Sequence, residues 1–189
     1  MRGCAIGFVI GFGMTPLLSQ NLPDFYSDSL YKRAQKLYFL AVQSESYMEE
    51  AERAIQSLIR IYGPQPPIQM YLYGLTALKA RYSLNPLQKR DFFYQAVSQM
   101  DAMVRQCPSD PEIRFLRGSF YYYLPFFMGK RKEAEDDLRT LTRLLLQSPD
   151  LYKKRYTSEV LRAIVGFLEQ SGWIGKEEIQ RLRRLYVTL

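Results

Sequence analysis

The chain of 189 residues has no histidine, which removes the commonest general base and the commonest metal ligand. Its two cysteines, Cys4 and Cys107, offer neither a zinc spacing nor a disulfide framework. Cys107 stands just before Pro108 at an expected helix end and reads as a buried structural thiol. No stretch alternates apolar and polar residues long enough for a strand, so no glycine-rich loop follows a strand to cradle a phosphate. Serine and lysine occur at no spacing diagnostic of a nucleophile pair. The acidic group Glu133, Glu135, Asp136 and Asp137 comes nearest to a metal site. Near a helix N-terminus it reads instead as a solvated face where negative charge is favoured, because di-iron sites in helical bundles use Glu-x-x-His pairs. No catalytic residue, metal or cofactor is expected.

Aromatic residues and positive charge are what the chain has in excess. There are 15 Tyr and 11 Phe against one Trp, and the net charge is +7. Tyrosine tolerates half-burial with a wet hydroxyl, so part of this excess can line a surface. The charge favours an acidic partner or an anionic membrane surface. Interspersion of 19 acidic among 26 basic residues argues against dedicated nucleic-acid binding. Residues 1–20 read as a signal peptide: Arg2 is the only early charge, and residues 3–18 are apolar or small. On that reading 21–189 is the functional domain and the protein is exported, periplasmic or secreted. The alternative is a membrane anchor formed by residues 3–18.

Punctuation by Pro, Gly, Asn and Asp predicts an all-α chain of about eight helices. They run from Asp24 to Val42, from a Ser46–Glu49 capping box to Tyr62, and from Ile68 to Ser83. Asn85–Pro86 opens a fourth that ends at Cys107, and Asp110–Pro111 a fifth that ends at Leu124–Pro125. A sixth spans Gly129 to Gln147, before the Ser148–Pro149 break; the last two span Tyr156 to Gln170 and Lys176 to Tyr186. One spacing recurs in the second helix of each pair: Ala51, Ile55, Leu58; Ala96, Met100, Met103; Ala134, Leu138, Leu141. Residues three and four apart share a helix face, so each set is a stripe that a partner helix must cover. The third and fifth helices are apolar nearly all round, as helices flanked on several sides are. The fourth and sixth have a charged back.

This pattern resembles the tetratricopeptide repeat. Ala96, Met100, Met103 and Pro108 match the outer helix of that repeat. Gly74 with Ala77, and Gly118 with Tyr121, match its inner helix. Gly129 and Ala134 fit the following turn and outer helix. The first hairpin departs, with Phe39 and Val42 where Gly and Tyr would stand and Gly63–Pro64 in place of the closing proline. The spans Gly74–Ala96 and Gly118–Ala134 are longer than the family's, the first by about ten residues, and Pro149 falls late. The resemblance covers residues 30 to 150. It implies a right-handed stack of antiparallel hairpins that binds a peptide or protein segment without catalysis.

Carried over from Gly74, the groove positions fall on Tyr71, Leu75, Leu78 and Lys79. From Gly118 they fall on Phe115, Ser119, Tyr122 and Tyr123. These form an aromatic surface suited to a segment with apolar anchors, or else core covered by the long inter-helix insertions. Arg114 and Arg117 lie three apart on a mostly apolar helix, facing the outer helix in this family. Burying a guanidinium without a partner costs several kcal/mol, roughly. Arg117 is therefore expected to pair with Asp136 or Asp137; the alternative is that both arginines grip a ligand carboxylate. A second functional reading is a helical carrier that encloses a small apolar or anionic ligand in a pocket of several hundred Å3, an order of magnitude. The basic groups 130–132, 153–155 and 181–184 read as solvated faces or as a side turned to anionic lipid.

Overall fold

A computed structural model describes residues 24–187; the expected signal or anchor segment lies outside the described residues. Nine α-helices, three short 3-10 turns and no strand make up the described residues. The helices are α1 (Ser29–Gln43), α2 (Met48–Tyr62), α3 (Pro66–Tyr82), α4 (Pro86–Gln106), α5 (Pro111–Tyr122), α6 (Arg131–Gln147), α7 (Pro149–Arg155), α8 (Ser158–Ser171) and α9 (Lys176–Tyr186). No helix among the described residues is long and apolar enough to cross a membrane.

Helix starts follow from side-chain caps. Asn85 accepts from the backbone N–H of Leu87 at 2.9 Å, and Asp110 from Glu112 and Ile113 at 3.0 and 3.1 Å. Each cap is followed by a proline, whose missing N–H costs nothing in the first turn. Three expectations need correction. The Ser46–Glu49 capping box does not form: residues 45–47 make a 3-10 turn capped by Ser44, and Glu49 pairs with Arg53 at 2.8 Å. Ser148–Pro149 is a helix start as well as a break, because Pro149 opens α7, which brings the described helices from the expected eight to nine. Cys107 is buried and disulfide-bonded rather than a thiol.

Consecutive helices pack in pairs, α1 with α2, α3 with α4, α5 with α6, and α8 with α9. The first members also touch, α1 with α3 and α3 with α5. All nine residues of the recurring stripes are buried, and residues 111–118 of α5 are buried without exception. Two glycines permit the closest approaches. A Cβ on Gly74 would sit 2.5 Å from the Tyr38 hydroxyl, and one on Gly118 would sit 2.9 Å from Asp137 Cβ and 3.0 Å from Leu138 Cδ2. One apolar cluster joins α1–α5, and a second joins α5 and α6 to α7–α9. Phe39 and Phe115, 6.4 Å apart, bridge the two.

The same contacts define two ends. At one, Tyr82 in the last turn of α3 donates to the Ala41 carbonyl of α1 at 2.8 Å. There too Phe93 lies 6.2 Å from Phe120, and Tyr122 lies 5.0 Å from Trp173. The turns after α1, α3, α5 and α8 therefore gather together. At the other end the starts of α1 and α5 meet α7.

Candidate functional site

Three constellations stand out. The first is an aromatic recess where α5 ends. The α5 helix stops at Tyr122, and residues 126–128 make a 3-10 turn closed by Gly129 in the left-handed conformation (φ 68°). This turn and the α8–α9 turn enclose a hollow of about 270 Å3 walled by Tyr122, Phe126, Arg131 and Trp173, among others. Tyr122 is half-buried, with its ring 5.3 Å from Phe167 and 5.0 Å from Trp173. The Arg131 guanidinium lies 5.5 Å over the Trp173 ring, a cation–π geometry.

The residues expected to line a groove divide sharply. Tyr71, Leu75, Leu78 and Phe115 are buried, whereas Ser119 and Tyr122 are half-buried and Tyr123 is exposed. Lys79 pairs with Glu52 on α2 at 3.0 Å. What covers Phe115 is α8, whose Phe167 ring lies 5.8 Å away, edge-on. Only the C-terminal part of the expected surface, at Tyr122, reaches the recess. Arg131, Phe126 and Trp173 were absent from the expected set. The apolar triplet at 126–128, held between Pro125 and Gly129, was the available signal: three large apolar residues in a turn have no helix partner to cover them.

A second constellation is an ionic network between α4, α5 and α6. Arg117 donates to Asp137 through Nε at 2.7 Å and to Asp101 on α4 at 2.8 Å. Arg114 donates to Asp137 at 2.6 Å, to Asp136 at 3.0 Å and to the Pro108 carbonyl at 2.8 Å. Asp101 also accepts from Tyr121 at 2.8 Å and from Lys130 at 3.2 Å. Asp137 is fully buried, which departs from the solvated face expected of the acidic group. Its other members take separate cations, Glu133 with Lys130 and Glu135 with Arg139. Among the described residues no cluster of three His, Cys, Asp or Glu has the arrangement to hold a metal ion.

Glu112 forms the third constellation, at the opposite end. It is buried, and its carboxylate accepts from Tyr31, from Tyr71 and, at 2.6 Å, from Gln35. None of these donors is charged. Burial and then the neighbouring Asp110 push the Glu112 carboxyl up to about 7. Both phenols are also pushed up, first by burial and then by the Glu112 charge. Arg155 of α7 pairs with Asp110 at 3.0 Å and stacks 3.5 Å over the Tyr26 ring. Among the described residues the buried Tyr156 hydroxyl and Arg155 Nε have no hydrogen-bond partner. Glu112 carries no local signal. An acid in the first turn of a helix is ordinary, and its partners come from 41 to 81 residues away.

Compared with protein-family models, curated proteins and solved structures, the chain matches none.

Proposed function

We propose that the chain is a non-catalytic scaffold, a right-handed stack of helical hairpins of the tetratricopeptide type, that binds a peptide or protein segment through the aromatic recess at the end of α5. The stack is supported by the burial of all three stripes and by the run of contacts from α1 through α3 to α5. Binding is carried by one observation: a 270 Å3 hollow walled by Tyr122, Trp173 and Phe126 with Arg131 at its side. Aromatic walls hold an apolar anchor, since most interface energy comes from a few such residues. Arg131 adds a preference for a segment with a carboxylate next to that anchor. A carrier receives less support, because the interior around Glu112 is occupied by Tyr31, Tyr71 and Gln35.

The test is selection of displayed peptides against the full chain. Enriched sequences should share an aromatic or aliphatic anchor and an acidic neighbour. Their affinity should fall about thirtyfold, the scale of a hot-spot loss, in Tyr122→Leu and Trp173→Leu variants of unchanged thermal midpoint. A selection without consensus, or peptides indifferent to both substitutions, would sink the reading.

A further inference from the structure

Among the described residues seven large apolar or aromatic side chains are more than 60% exposed, and six of them, Leu84, Leu87, Tyr94, Tyr123, Phe126 and Phe127, belong to the end where the turns gather. Leu84 is 98% exposed and Phe126 86%. They stand on two projections. One is the α3–α4 turn with the first turns of α4, which run on beyond the level where Phe93 meets Phe120. The other is the 3-10 turn after α5. Soluble proteins scatter single exposed apolar residues; a concentration at one end marks a contact surface.

Basic residues outnumber acids on these projections. Residues 81–94 and 123–132 carry Arg81, Lys89, Arg90, Lys130, Arg131 and Lys132 against one acid, Asp91, which pairs with Arg90 at 3.1 Å; Lys130 is taken up by Asp101 and Glu133, and Lys89 and Lys132 stand beside the apolar tips. Aromatic and aliphatic tips flanked by lysine and arginine match the boundary of an anionic bilayer, where rings settle at headgroup level and cations meet phosphate. A second copy of this chain fits poorly, because two such ends would bring like charges together. Leu84, Leu87 and Phe127 lie outside the recess, and a fluid apolar phase accepts such side chains without a preformed pocket.

We propose that this end, through Leu84, Leu87, Phe126 and Phe127 with the flanking lysines and arginines, docks on an anionic lipid surface. The proposal shares Phe126 with the recess but is tested apart from it, because Leu87, Lys89, Phe127 and Lys132 do not line the recess.

The experiment uses the full chain carrying Phe127→Trp, mixed with vesicles of brominated phosphatidylcholine, with or without brominated phosphatidylglycerol. Emission from the parent chain, which holds Trp173 alone, is subtracted. Position 127 is read directly, so attachment through residues 3–18, common to all variants, does not imitate the result. Quenching is expected in the anionic vesicles and absent in the zwitterionic ones. Lys89→Gln and Lys132→Gln should each weaken partitioning about fivefold, and together roughly thirtyfold. No quenching in either vesicle, or equal quenching in both, would overturn the proposal. So would capture of an acidic protein that depends on Phe127 without any quenching by lipid.

Discussion

Asp137 and Glu112 are both buried carboxylates within one helical hairpin, yet they are held in opposite ways. Asp137 receives two guanidiniums and completes a network that reaches Asp101 and Lys130. Glu112 receives two phenols and an amide, all neutral. A paired charge in the interior is compensated, and removing one member strands the other. An unpaired carboxylate among neutral donors is compensated only in part, and it relieves the remainder by taking a proton. Asp137 therefore pins register between α5 and α6, whereas Glu112 makes its end of the molecule sensitive to pH.

The comparison breaks most visibly at Asp137. Asp137→Ala leaves Arg114 and Arg117 buried against no carboxylate except Asp101 and the exposed Asp136, and should cost about 3–5 kcal/mol in denaturant unfolding. Arg117→Met removes one of the two cations and should destabilise less. An Arg117→Met chain with unaltered stability would show that the network is not what fixes the hairpin.

Next comes pH. The Glu112 carboxyl titrates near 7 in the folded chain against an ordinary 4.5. Between those values the folded state holds more protons than the unfolded one, so stability falls as pH rises through this window. Below it the carboxyl is protonated in both states and the penalty disappears. Relative to Glu112→Gln, the parent should lose up to about 3 kcal/mol between pH 4.5 and 7. The titratable groups facing Glu112 are Tyr31, Tyr71, Tyr156 and Asp110, and Arg155 pairs with Asp110. Asp110 is pushed up by burial to about 6, with the backbone N–H groups of Ile113 and Glu112 pulling the other way, so the difference between parent and variant, and not the parent alone, isolates Glu112. A difference that stays flat with pH would remove the contrast between the two carboxylates.

The smallest effect sharpens the comparison. Asp136 also pairs with Arg114, at 3.0 Å, but its side chain is 68% exposed. Asp136→Ala should change stability by less than about 1 kcal/mol, as exposed pairs do. Two adjacent aspartates contacting one arginine would then differ severalfold through burial alone.

Much of the fold was legible before the structure. The stripes at Ala51, Ala96 and Ala134 rest on helical period, a local property, and the starts at Asn85–Pro86 and Asp110–Pro111 rest on caps that involve neighbouring residues. Errors arose where two local signals competed. Ser46 and Glu49 fit a capping box, but Ser44 capped a 3-10 turn first. Pro149 carried the same start signal as Pro86 and Pro111, yet it was read only as a terminator. The candidate site was less legible because its parts meet through tertiary contact: Tyr122 faces Trp173 across 51 positions of chain, and Glu112 meets Tyr31 across 81. Burial of Tyr71 and Phe115 depended on what α1 and α8 place over them, which no spacing within α3 or α5 records.

The Glu112 contacts also bear on how the molecule comes apart. A linear array of hairpins in which each unit touches only its neighbours loses structure from its ends, one unit at a time. Here one side chain binds α1, α3 and α5 together, and Arg155 stacks on Tyr26 to join α7 to the first turn of the described chain. The first hairpin cannot fray without stranding Glu112, and α7 cannot leave without uncovering Tyr26. Local opening is thereby coupled to global unfolding, and a chain of paired helices acquires the cooperativity of a single unit.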